Sequence, residues 1–251
     1  MISFVGAGPG DVELITIKGR RLLEEADLVI YAGSLVSREH LDFCKAGCEK
    51  YDSASMTLEE VIEKMEAASR NKKNVVRLHT GDPTIYGAIR EQMEALDKLG
   101  LDYEVVPGVS SFTAACASIK KEFTLPGVSQ TVILTRLEGR TPVPEKERLE
   151  LLASHGASMA IFLSVQDIEG VVEKLIQGYG RDDVPVAVVY KASWQDQDFV
   201  IGELRDIAGK VRKKGFKKMA QILVGDYIMG DFERSKLYDP AFSHGYRRAE
   251  K

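Results

Sequence analysis

Asp82 is the carboxylate whose setting in the sequence best suits ligand chemistry. The apolar run Val75–His79 predicts a buried strand, and Gly81-Asp82-Pro83 predicts a tight turn directly after it. Ligands of open α/β sheets bind at the carboxyl ends of the strands, which makes Asp82 a candidate ligand contact. A helix is predicted from about Thr84, and a side chain that only caps this helix is the other interpretation. From this segment alone, both interpretations stay open.

A glycine-rich turn, Gly6-Ala7-Gly8-Pro9-Gly10-Asp11, follows the first predicted strand. A dinucleotide site needs Gly-x-Gly-x-x-Gly opening into a helix and an acidic residue at the end of the second strand. Here the third glycine comes one residue early, Pro9 stiffens the turn, and the second strand ends in Tyr31-Ala32-Gly33-Ser34. The missing acid also argues against the common Rossmann-like methyltransferases. We expect a tight turn beside a ligand, with a purely geometric turn as the alternative.

A third segment combines a strand, a Pro-Gly turn and small hydroxyl residues. Pro107-Gly108-Val109-Ser110-Ser111 follows the strand Tyr103–Val106 and opens a predicted helix. The free amides at the start of a helix, together with two hydroxyls, are suited to bind a ligand. Because parallel strands end at the same edge of a sheet, we expect the three glycine-bearing turns to converge there.

Composition limits the partners. The 251 residues carry a net charge of −4, whereas nucleic-acid-binding proteins usually show a basic excess. The basic run Lys210–Lys218 follows an amphipathic helix and is expected to be its solvated end. No stretch approaches the roughly 20 apolar residues of a membrane span, and Met1–Gly6 shows no signal peptide. We therefore expect a cytoplasmic protein with no nucleic-acid or membrane partner, and its cysteines form no motif for a metal.

The elements that position these turns alternate between strands and helices, which predicts an α/β fold. The predicted strands are Ile2–Val5, Leu28–Tyr31, Val75–His79, Tyr103–Val106, Thr131–Thr135, Met159–Leu163, Val186–Tyr190 and Gln221–Val224. Phe199–Gly202 is flanked by polar residues and predicts the edge strand of a hairpin. We place an N-terminal domain at 1–125, a C-terminal domain at 126–231 and a tail at 232–251, because Pro126-Gly127 interrupts the periodicity.

The three turns, in this order and at these separations, resemble the tetrapyrrole (corrin/porphyrin) methylases across nearly the whole chain. Further segments resemble the subgroup that methylates precorrin-4. These segments are Tyr31–Val36, His79–Pro83, Thr131–Arg136, Glu138–Pro144 and Tyr190–Trp194. The tail, with Leu237–Pro240 and Ser243–Arg247, is similar to that of many members of the cobalt pathway.

This resemblance implies two α/β domains with S-adenosyl-L-methionine folded into the cleft between them, usually in a homodimer. The product would be S-adenosyl-L-homocysteine, and the methyl would go to carbon 11 of precorrin-4 or cobalt-precorrin-4 in cobalamin biosynthesis. By position, the donor would contact Pro9, Thr80, Gly81, Asp82, Ile85, Ser110, Ser111, Leu163, Ser164, Ala192 and Ala220. Methyl transfer from a sulfonium needs no serine or cysteine nucleophile, and the sequence identifies no catalytic base.

The expected substrate carries many carboxylates, which suit arginine. Arg140 is the main candidate for them, with Arg136 and Lys191 behind it, and Tyr86 could line the site. Ordinary surface charge and packing are the competing explanations for these residues. His79 is expected to be a core histidine whose hydrogen bonds are satisfied, whereas Trp194 could wall the cleft or simply pack.

Two other classes of function compete with this one. The same fold occurs in methylases of other precorrins, of ribosomal RNA and of a modified histidine of a translation factor, the diphthamide precursor. A carrier that binds a nucleotide or a porphyrinoid without catalysis would never convert the donor to S-adenosylhomocysteine.

Overall fold

The structure is a computed structural model that describes residues 1–33 and 35–249. Ser34, part of a segment that carries the resemblance, and the last two residues of the predicted tail lie outside the described residues. Contacts divide the chain into two compact units. One comprises Met1–Ala114 with Lys191–Gln197, and the other comprises Ala115–Tyr190 with Asp198–Lys251. The domain limits drawn from the sequence stay a prediction.

The first unit contains a five-stranded sheet in the order β3-β2-β4-β1-β5, in which every neighbouring pair is parallel. Its strands are β1 (Ile2–Gly6), β2 (Leu28–Tyr31), β3 (Glu49–Asp52), β4 (Val75–His79) and β5 (Tyr103–Val106). All of the strands predicted from apolar runs in this half are present, whereas β3 was missed. β3 is a polar strand at the edge of the sheet, so it lacks the apolar signal of the buried strands.

Helices cover this sheet, and apolar side chains such as Leu23, Met65 and Leu78 are fully buried. The helices are α1 (Ile17–Glu25), α2 (Leu58–Arg70), α3 (Arg90–Lys98) and α4 (Ser111–Ser118). α2 begins with a capping box in which the Glu60 N–H donates to Thr57 Oγ1 and the Thr57 N–H donates to the Glu60 carboxylate. The predicted start of this helix is confirmed.

The second unit contains a mixed five-stranded sheet in the order β6-β7-β10-β8-β9. Its strands are β6 (Val132–Arg136), β7 (Ser158–Phe162), β8 (Pro185–Tyr190), β9 (Asp198–Glu203) and β10 (Ala220–Val224). β6 and β7 are parallel, whereas β10 runs antiparallel to β7 and β8. β9 pairs antiparallel with β8 at the edge, as predicted for a hairpin.

The helices of the second unit pack on a core that includes Met159, Leu175, Val188 and Ile207. These helices are α5 (Leu149–Ala153), α6 (Ile168–Tyr179) and α7 (Leu204–Lys214). Asp167 caps α6 by accepting a hydrogen bond from the Gly170 N–H at 3.1 Å, as the sequence predicts. Within residues 1–33 and 35–249, no helix has the length and apolar character needed to cross a membrane.

Irregular backbone follows β10 to the end of the described chain. Apart from short 3-10 turns it contains no helix or strand in its described part, as predicted for the tail. The Arg247 guanidinium donates to the carbonyl oxygens of Leu237 at 2.9 Å and Asp239 at 2.6 Å, so the tail is folded on itself. Tyr246 is fully exposed.

Candidate active site

The turns after β1 and β4 are joined by their main chains. The Gly81 N–H donates to the Gly8 carbonyl at 2.8 Å, and the Gly8 N–H donates back to the Gly81 carbonyl at 3.2 Å. The Ala7 N–H donates to the His79 carbonyl at 2.7 Å, which extends the pairing of the two strands into their turns. Gly8 and Gly81 have φ values of 79° and 60°, in the left-handed region where a side chain is strained.

The turn after β5 reaches the same place. A Cβ at Gly6 would lie 2.6 Å from the Gly81 carbonyl oxygen and 2.7 Å from the Gly108 Cα. A Cβ at Gly108 would overlap the same carbonyl oxygen, so only glycine fits at either position. The predicted convergence of the three turns at one edge of the sheet is confirmed. We call this contact of the 6–11, 80–83 and 107–111 turns the glycine junction.

Asp82 holds the glycine junction together through its carboxylate. Oδ2 accepts from the Gly108 N–H at 3.0 Å, and Oδ1 accepts from the Thr84 N–H at 2.8 Å and the Thr84 hydroxyl at 2.5 Å. The prediction that a helix starts near Thr84, with Asp82 as a possible cap, is wrong. α3 begins only at Arg90.

Left-handed backbone explains the late start of α3. Tyr86 and Ala88 have φ values of 55° and 48°, which a right-handed helix of L-residues does not contain. Between them, a Cβ at Gly87 would overlap the Pro83 carbonyl. This tight 83–89 turn carries Ile85, which is half-buried, and Tyr86, which is 46% exposed.

Ser110 and Ser111 lie where the glycine junction meets α4. α4 begins at Ser111 as predicted, and Ser110 is buried. The Ser110 carbonyl accepts from the Ala114 N–H at 3.2 Å and the Thr113 hydroxyl at 2.7 Å, so this carbonyl serves the first turn of α4.

The short segment 191–197 packs on the first glycine turn. Trp194 Nε1 donates to the Pro9 carbonyl at 2.8 Å, and the Asp11 N–H donates to Ser193 Oγ at 3.0 Å. Ala192 is buried in this segment. Trp194 therefore braces the turn that carries Pro9, which is a contact that its sequence context did not indicate. The structure thus brings Pro9, Thr80–Asp82, Ser110 and Ala192 into one unit.

Lys191 is engaged by an acid of its own segment. Its Nζ lies 2.5 Å from Asp196 Oδ2 and 5.4 Å from the centre of the Trp194 ring. A carboxylate ligand would have to compete with Asp196 for this ammonium group.

Three of the donor contacts expected from the second domain, Leu163, Ser164 and Ala220, lie at one end of the strands of the second sheet, whereas the fourth, Ala192, belongs to the first unit. Leu163 and Ser164 follow the end of β7, and Ala220 begins β10, which pairs antiparallel with β7. Leu163 is 60% exposed and left-handed, with a φ of 54°. The Ser164 hydroxyl accepts from the Leu137 N–H at 2.9 Å and donates to the Phe162 carbonyl at 2.6 Å, so it is used within this unit.

Arg136 and Arg140 have different roles at this edge. The Arg136 guanidinium donates to the carbonyls of Thr141 at 3.1 Å and Pro142 at 2.7 Å, which fixes the loop after β6. Arg140 is exposed in that loop and makes no hydrogen bond or ion pair with any residue that the structure describes. Arg136 therefore stabilises the loop after β6, whereas the guanidinium of Arg140 is exposed and accessible to a ligand.

The histidines near the glycine junction are core residues. His79 is 4% exposed, and burial together with the nearby Arg77 lowers its pKa to about 3. Its Nε2 has no hydrogen-bond partner among the described residues. The expectation of a core histidine is confirmed by this burial, whereas the expectation that its ring nitrogens are satisfied by hydrogen bonds is wrong for Nε2.

His40, which the sequence analysis missed, is fully buried in the 3-10 segment Arg38–Phe43. Its Nε2 lies 2.8 Å from the Ala7 carbonyl oxygen, within the first glycine turn, and its Nδ1 lies 3.0 Å from the Ser37 carbonyl oxygen. This contact could not be predicted from the sequence, because a main-chain oxygen 33 residues away from His40 leaves no recognisable pattern of residue types.

Residues 1–208 match the family model described as Tetrapyrrole (Corrin/Porphyrin) Methylases. The chain belongs to this family. A relative named "Cobalt-precorrin-4 C(11)-methyltransferase", from Methanocaldococcus jannaschii, is 57% identical over 251 residues, covering 100% of this chain and 97% of the relative.

Solved structures of the family agree with this assignment. A structure titled as a cobalamin biosynthetic enzyme, cobalt precorrin-4 methyltransferase, matches with a TM-score of 0.89 and 48% identity, over 90% of this chain and 95% of that one. A uroporphyrin-III C-methyl transferase from Thermus thermophilus, complexed with S-adenyl homocysteine, matches with a TM-score of 0.74 over 91% of this chain and 93% of that one. At 24% identity, this second likeness shows the fold alone.

Proposed function

We propose that this protein transfers a methyl group from S-adenosyl-L-methionine to carbon 11 of precorrin-4, in its cobalt-containing or metal-free form, during cobalamin biosynthesis. The observation that carries this proposal is the full-length identity with a cobalt-precorrin-4 C(11)-methyltransferase. The match covers 100% of this chain and so includes the three turns of the glycine junction.

The donor would be held by the backbone at the glycine junction and by further residues that the resemblance to the family indicates. The donor contacts that we propose are Pro9, Thr80, Gly81, Asp82, Ile85, Ser110, Ser111, Leu163, Ser164, Ala192 and Ala220. The glycine junction has main-chain groups that suit S-adenosyl-L-methionine. A Cβ at Gly81 would meet the Ser110 Cα and the Ser111 N at 3.7 Å, an ordinary contact distance, so main-chain groups of this turn and of the start of α4 lie close together.

When bound, S-adenosylmethionine would supply an electrophilic methyl: the sulfur would keep the electron pair of the broken bond, and the ring carbon would provide the pair of the new bond. The protein's own contribution is to hold the donor and the ring carbon in line and to exclude water. Orientation of this kind is worth about 7–11 kcal/mol of the activation barrier in favourable cases. The fixed glycine junction and the left-handed turns at Tyr86 and Leu163 suit this task, because little of their backbone is free to move.

Arg140 is the residue that we propose for the acidic side chains of the tetrapyrrole. It is exposed, without a partner among the described residues, and carried on a loop that Arg136 fixes. Tyr86 and Lys191 are secondary candidates, and the ion pair with Asp196 weakens the case for Lys191.

We infer in addition that the protein is a cytoplasmic homodimer. Light scattering of the purified protein tests the oligomeric state, and a monomeric mass at micromolar concentration would contradict it.

Isotope labelling tests the reaction itself. The protein is incubated with donor that carries a ¹³C-labelled methyl and with either cobalt-precorrin-4 or precorrin-4, and the product is examined by NMR. We expect one labelled methyl on carbon 11 and an equal amount of S-adenosylhomocysteine. Methylation of another carbon, or binding of both compounds without turnover, would contradict the proposal.

A further inference from the structure

Arg77 is a buried cation inside the first sheet. It lies on β4, is 7% exposed, and forms no ion pair with any carboxylate in the described part of the chain. Burial lowers its pKa to about 10, so it stays charged at neutral pH. A buried charge is costly unless hydrogen bonds or an opposite charge compensate it. Its neighbours should therefore explain its presence.

Neutral groups satisfy this guanidinium. Arg77 Nη1 donates to the Ile30 carbonyl at 3.2 Å, and Nε donates to the Gln92 side-chain oxygen at 3.1 Å. Gln92 is 6% exposed on α3, and its Nε2 donates to the Ala88 carbonyl at 2.8 Å. We call the chain of hydrogen bonds from Arg77 through Gln92 to the Ala88 carbonyl the relay. Because arginine only donates and a carbonyl only accepts, the relay allows just one orientation of the Gln92 amide.

The relay ends on a strained turn. Ala88 and Tyr86 are both left-handed, which costs about 1–2 kcal/mol for each residue with a side chain. Such a conformation persists only where the surroundings impose it. Gln92 is the side chain that holds the Ala88 carbonyl, and the turn carries Ile85 and Tyr86.

We infer that Arg77 and Gln92 are positioning residues, which set the 83–89 turn so that Ile85 and Tyr86 meet the donor and the tetrapyrrole. This inference rests on the proposed function. Arg77 fixes the amide of Gln92, Gln92 fixes Ala88, and neither side chain touches a reactant.

Gln92→Glu tests the relay with little loss of packing. The introduced carboxylate still accepts from Arg77 and adds an opposite charge, yet it offers no N–H to the Ala88 carbonyl. We expect a melting temperature equal to or above that of the wild type, together with an affinity for S-adenosylhomocysteine about tenfold weaker. Lowering the pH should restore part of this affinity, since protonation of the introduced carboxyl supplies an O–H donor.

The matched control is Gln130→Glu, at an exposed amide whose Nε2 donates to the Ser129 carbonyl at 3.3 Å. It should leave donor affinity unchanged. If Gln92→Glu bound S-adenosylhomocysteine with wild-type affinity, the inference would be overturned, and the relay would only stabilise the fold. A wild-type protein that binds neither donor nor product would instead refute the proposed function.

A separate observation concerns the turn before β10. In the basic run that ends α7, Lys210 pairs with Asp206 at 2.6 Å, Arg212 with Glu169, and Lys214 with Asp198 at 2.7 Å. Lys217 and Lys218 are exposed and have no ion pair within the described residues. The expectation that the run is a solvated helix end is confirmed for Lys210–Lys214, which belong to α7. It is wrong for Lys217 and Lys218, which lie beyond the end of this helix.

The position of this pair is specific. Met219, which follows it, is left-handed with a φ of 53°, and Ala220 then starts β10. Since β10 is antiparallel to β7, Lys217 and Lys218 lie at the edge of the sheet where Leu163 and Ser164 follow β7. The loop of Arg140 follows β6 at the same edge, because β6 is parallel to β7.

We propose that Lys217 and Lys218 bind carboxylates of the tetrapyrrole side chains, as a second cationic element beside Arg140. Charge-assisted hydrogen bonds to carboxylates are the stronger ones in proteins, so their loss should be measurable. This proposal rests on the proposed substrate class and not on the identity of the methylated carbon.

The test uses a porphyrin with eight carboxylates as probe, with its fluorescence measured at moderate salt. The Lys217→Ala/Lys218→Ala double variant should bind it about tenfold more weakly and S-adenosylhomocysteine equally well. Lys213→Ala is the control, because Lys213 is an exposed lysine of the same run that likewise has no ion pair with any described residue, but it lies within α7. Equal loss in the control, or no loss in the double variant, would overturn the proposal. If the wild-type protein does not bind the porphyrin, the proposal that its substrate is a tetrapyrrole with carboxylate side chains would be contradicted.

Discussion

Asp82 accepts a hydrogen bond from the main-chain N–H of Gly108 at 3.0 Å, so one carboxylate joins the turns that follow β4 and β5. The other oxygen of the same carboxylate holds Thr84. Asp82 therefore fixes the shape of the glycine junction, in addition to any contact that it makes with a ligand.

Replacement of Asp82 by Ala should weaken donor binding. It leaves the Gly108 and Thr84 amides without their acceptor, and an unsatisfied amide costs about 1–3 kcal/mol where it is buried. We expect the affinity for S-adenosylhomocysteine to fall at least about tenfold by calorimetry, while circular dichroism shows a folded protein. Asp82→Asn keeps one acceptor oxygen, so its affinity for S-adenosylhomocysteine should lie between those of the wild type and Asp82→Ala. Wild-type affinity in Asp82→Ala would show that donor binding does not depend on this carboxylate.

Gly108→Ala should disrupt the glycine junction, because the added Cβ would overlap the Gly81 carbonyl oxygen. We expect loss of donor binding and a lower melting temperature. Gly209→Ala is the matched control, since a Cβ there meets no atom within 4 Å and alanine favours helix α7 by up to about 1 kcal/mol. A Gly108→Ala protein that binds the donor normally would contradict the close approach of these turns.

Arg140→Ala should raise the Michaelis constant for the tetrapyrrole more than that for the donor. The guanidinium is exposed and free of partners among the described residues, so its removal should not destabilise the fold. Steady-state kinetics with each substrate varied in turn provides the measurement. Arg136→Ala should instead affect both constants, because it releases the loop. A larger effect of Arg140→Ala on the donor would refute the assignment.

Trp194 should report donor binding directly. It is the single tryptophan of the chain, and its Nε1 donates to the Pro9 carbonyl in the first glycine turn. Titration with S-adenosylhomocysteine should change the tryptophan emission in a saturable way, with the dissociation constant found by calorimetry. Binding seen by calorimetry without any change in emission would place the donor away from this turn.

Buried His79 should make the protein less stable at mildly acidic pH. Its pKa is about 3 in the folded chain, against an ordinary value of 6.5, so between these values the unfolded chain binds the additional proton. Stability should therefore rise with pH across this window, by up to about 1.4 kcal/mol per unit from this group. Urea unfolding at pH 5, 6 and 7.5 should show a shallower slope for His79→Leu than for the wild type.

The exposed His155 provides the control for this experiment, and His155→Gln should keep the wild-type slope. Equal slopes in His79→Leu and the wild type would mean that His79 is protonated in the folded protein.

The sequence was most informative where apolar runs and glycines coincide. The strands β1, β2, β4 and β5 follow from apolar runs, and the convergence of the turns after β1, β4 and β5 follows from the glycines that come directly after those three runs. The late start of α3 could not be predicted in the same way. Ala88 is a good helix former by propensity, yet its backbone is left-handed, and its carbonyl is held by Gln92, whose amide is oriented by Arg77, 15 residues away from Gln92.

Contacts between distant parts of the chain were also beyond sequence patterns. His40 meets the Ala7 carbonyl, and Trp194 meets the Pro9 carbonyl 185 residues away. Main-chain acceptors are the same for every residue type, so no spacing in the sequence reveals which of them a distant side chain will reach.

The pairing of Gly8 with Gly81 has a consequence for how such a protein can diverge. Its bonds use main-chain groups that every residue except proline possesses, so exchange of the surrounding side chains leaves them intact unless a Cβ intrudes. If the Arg140 loop and the lysines before β10 bind the substrate as proposed, substitutions there can change which molecule is methylated while this backbone pairing stays the same.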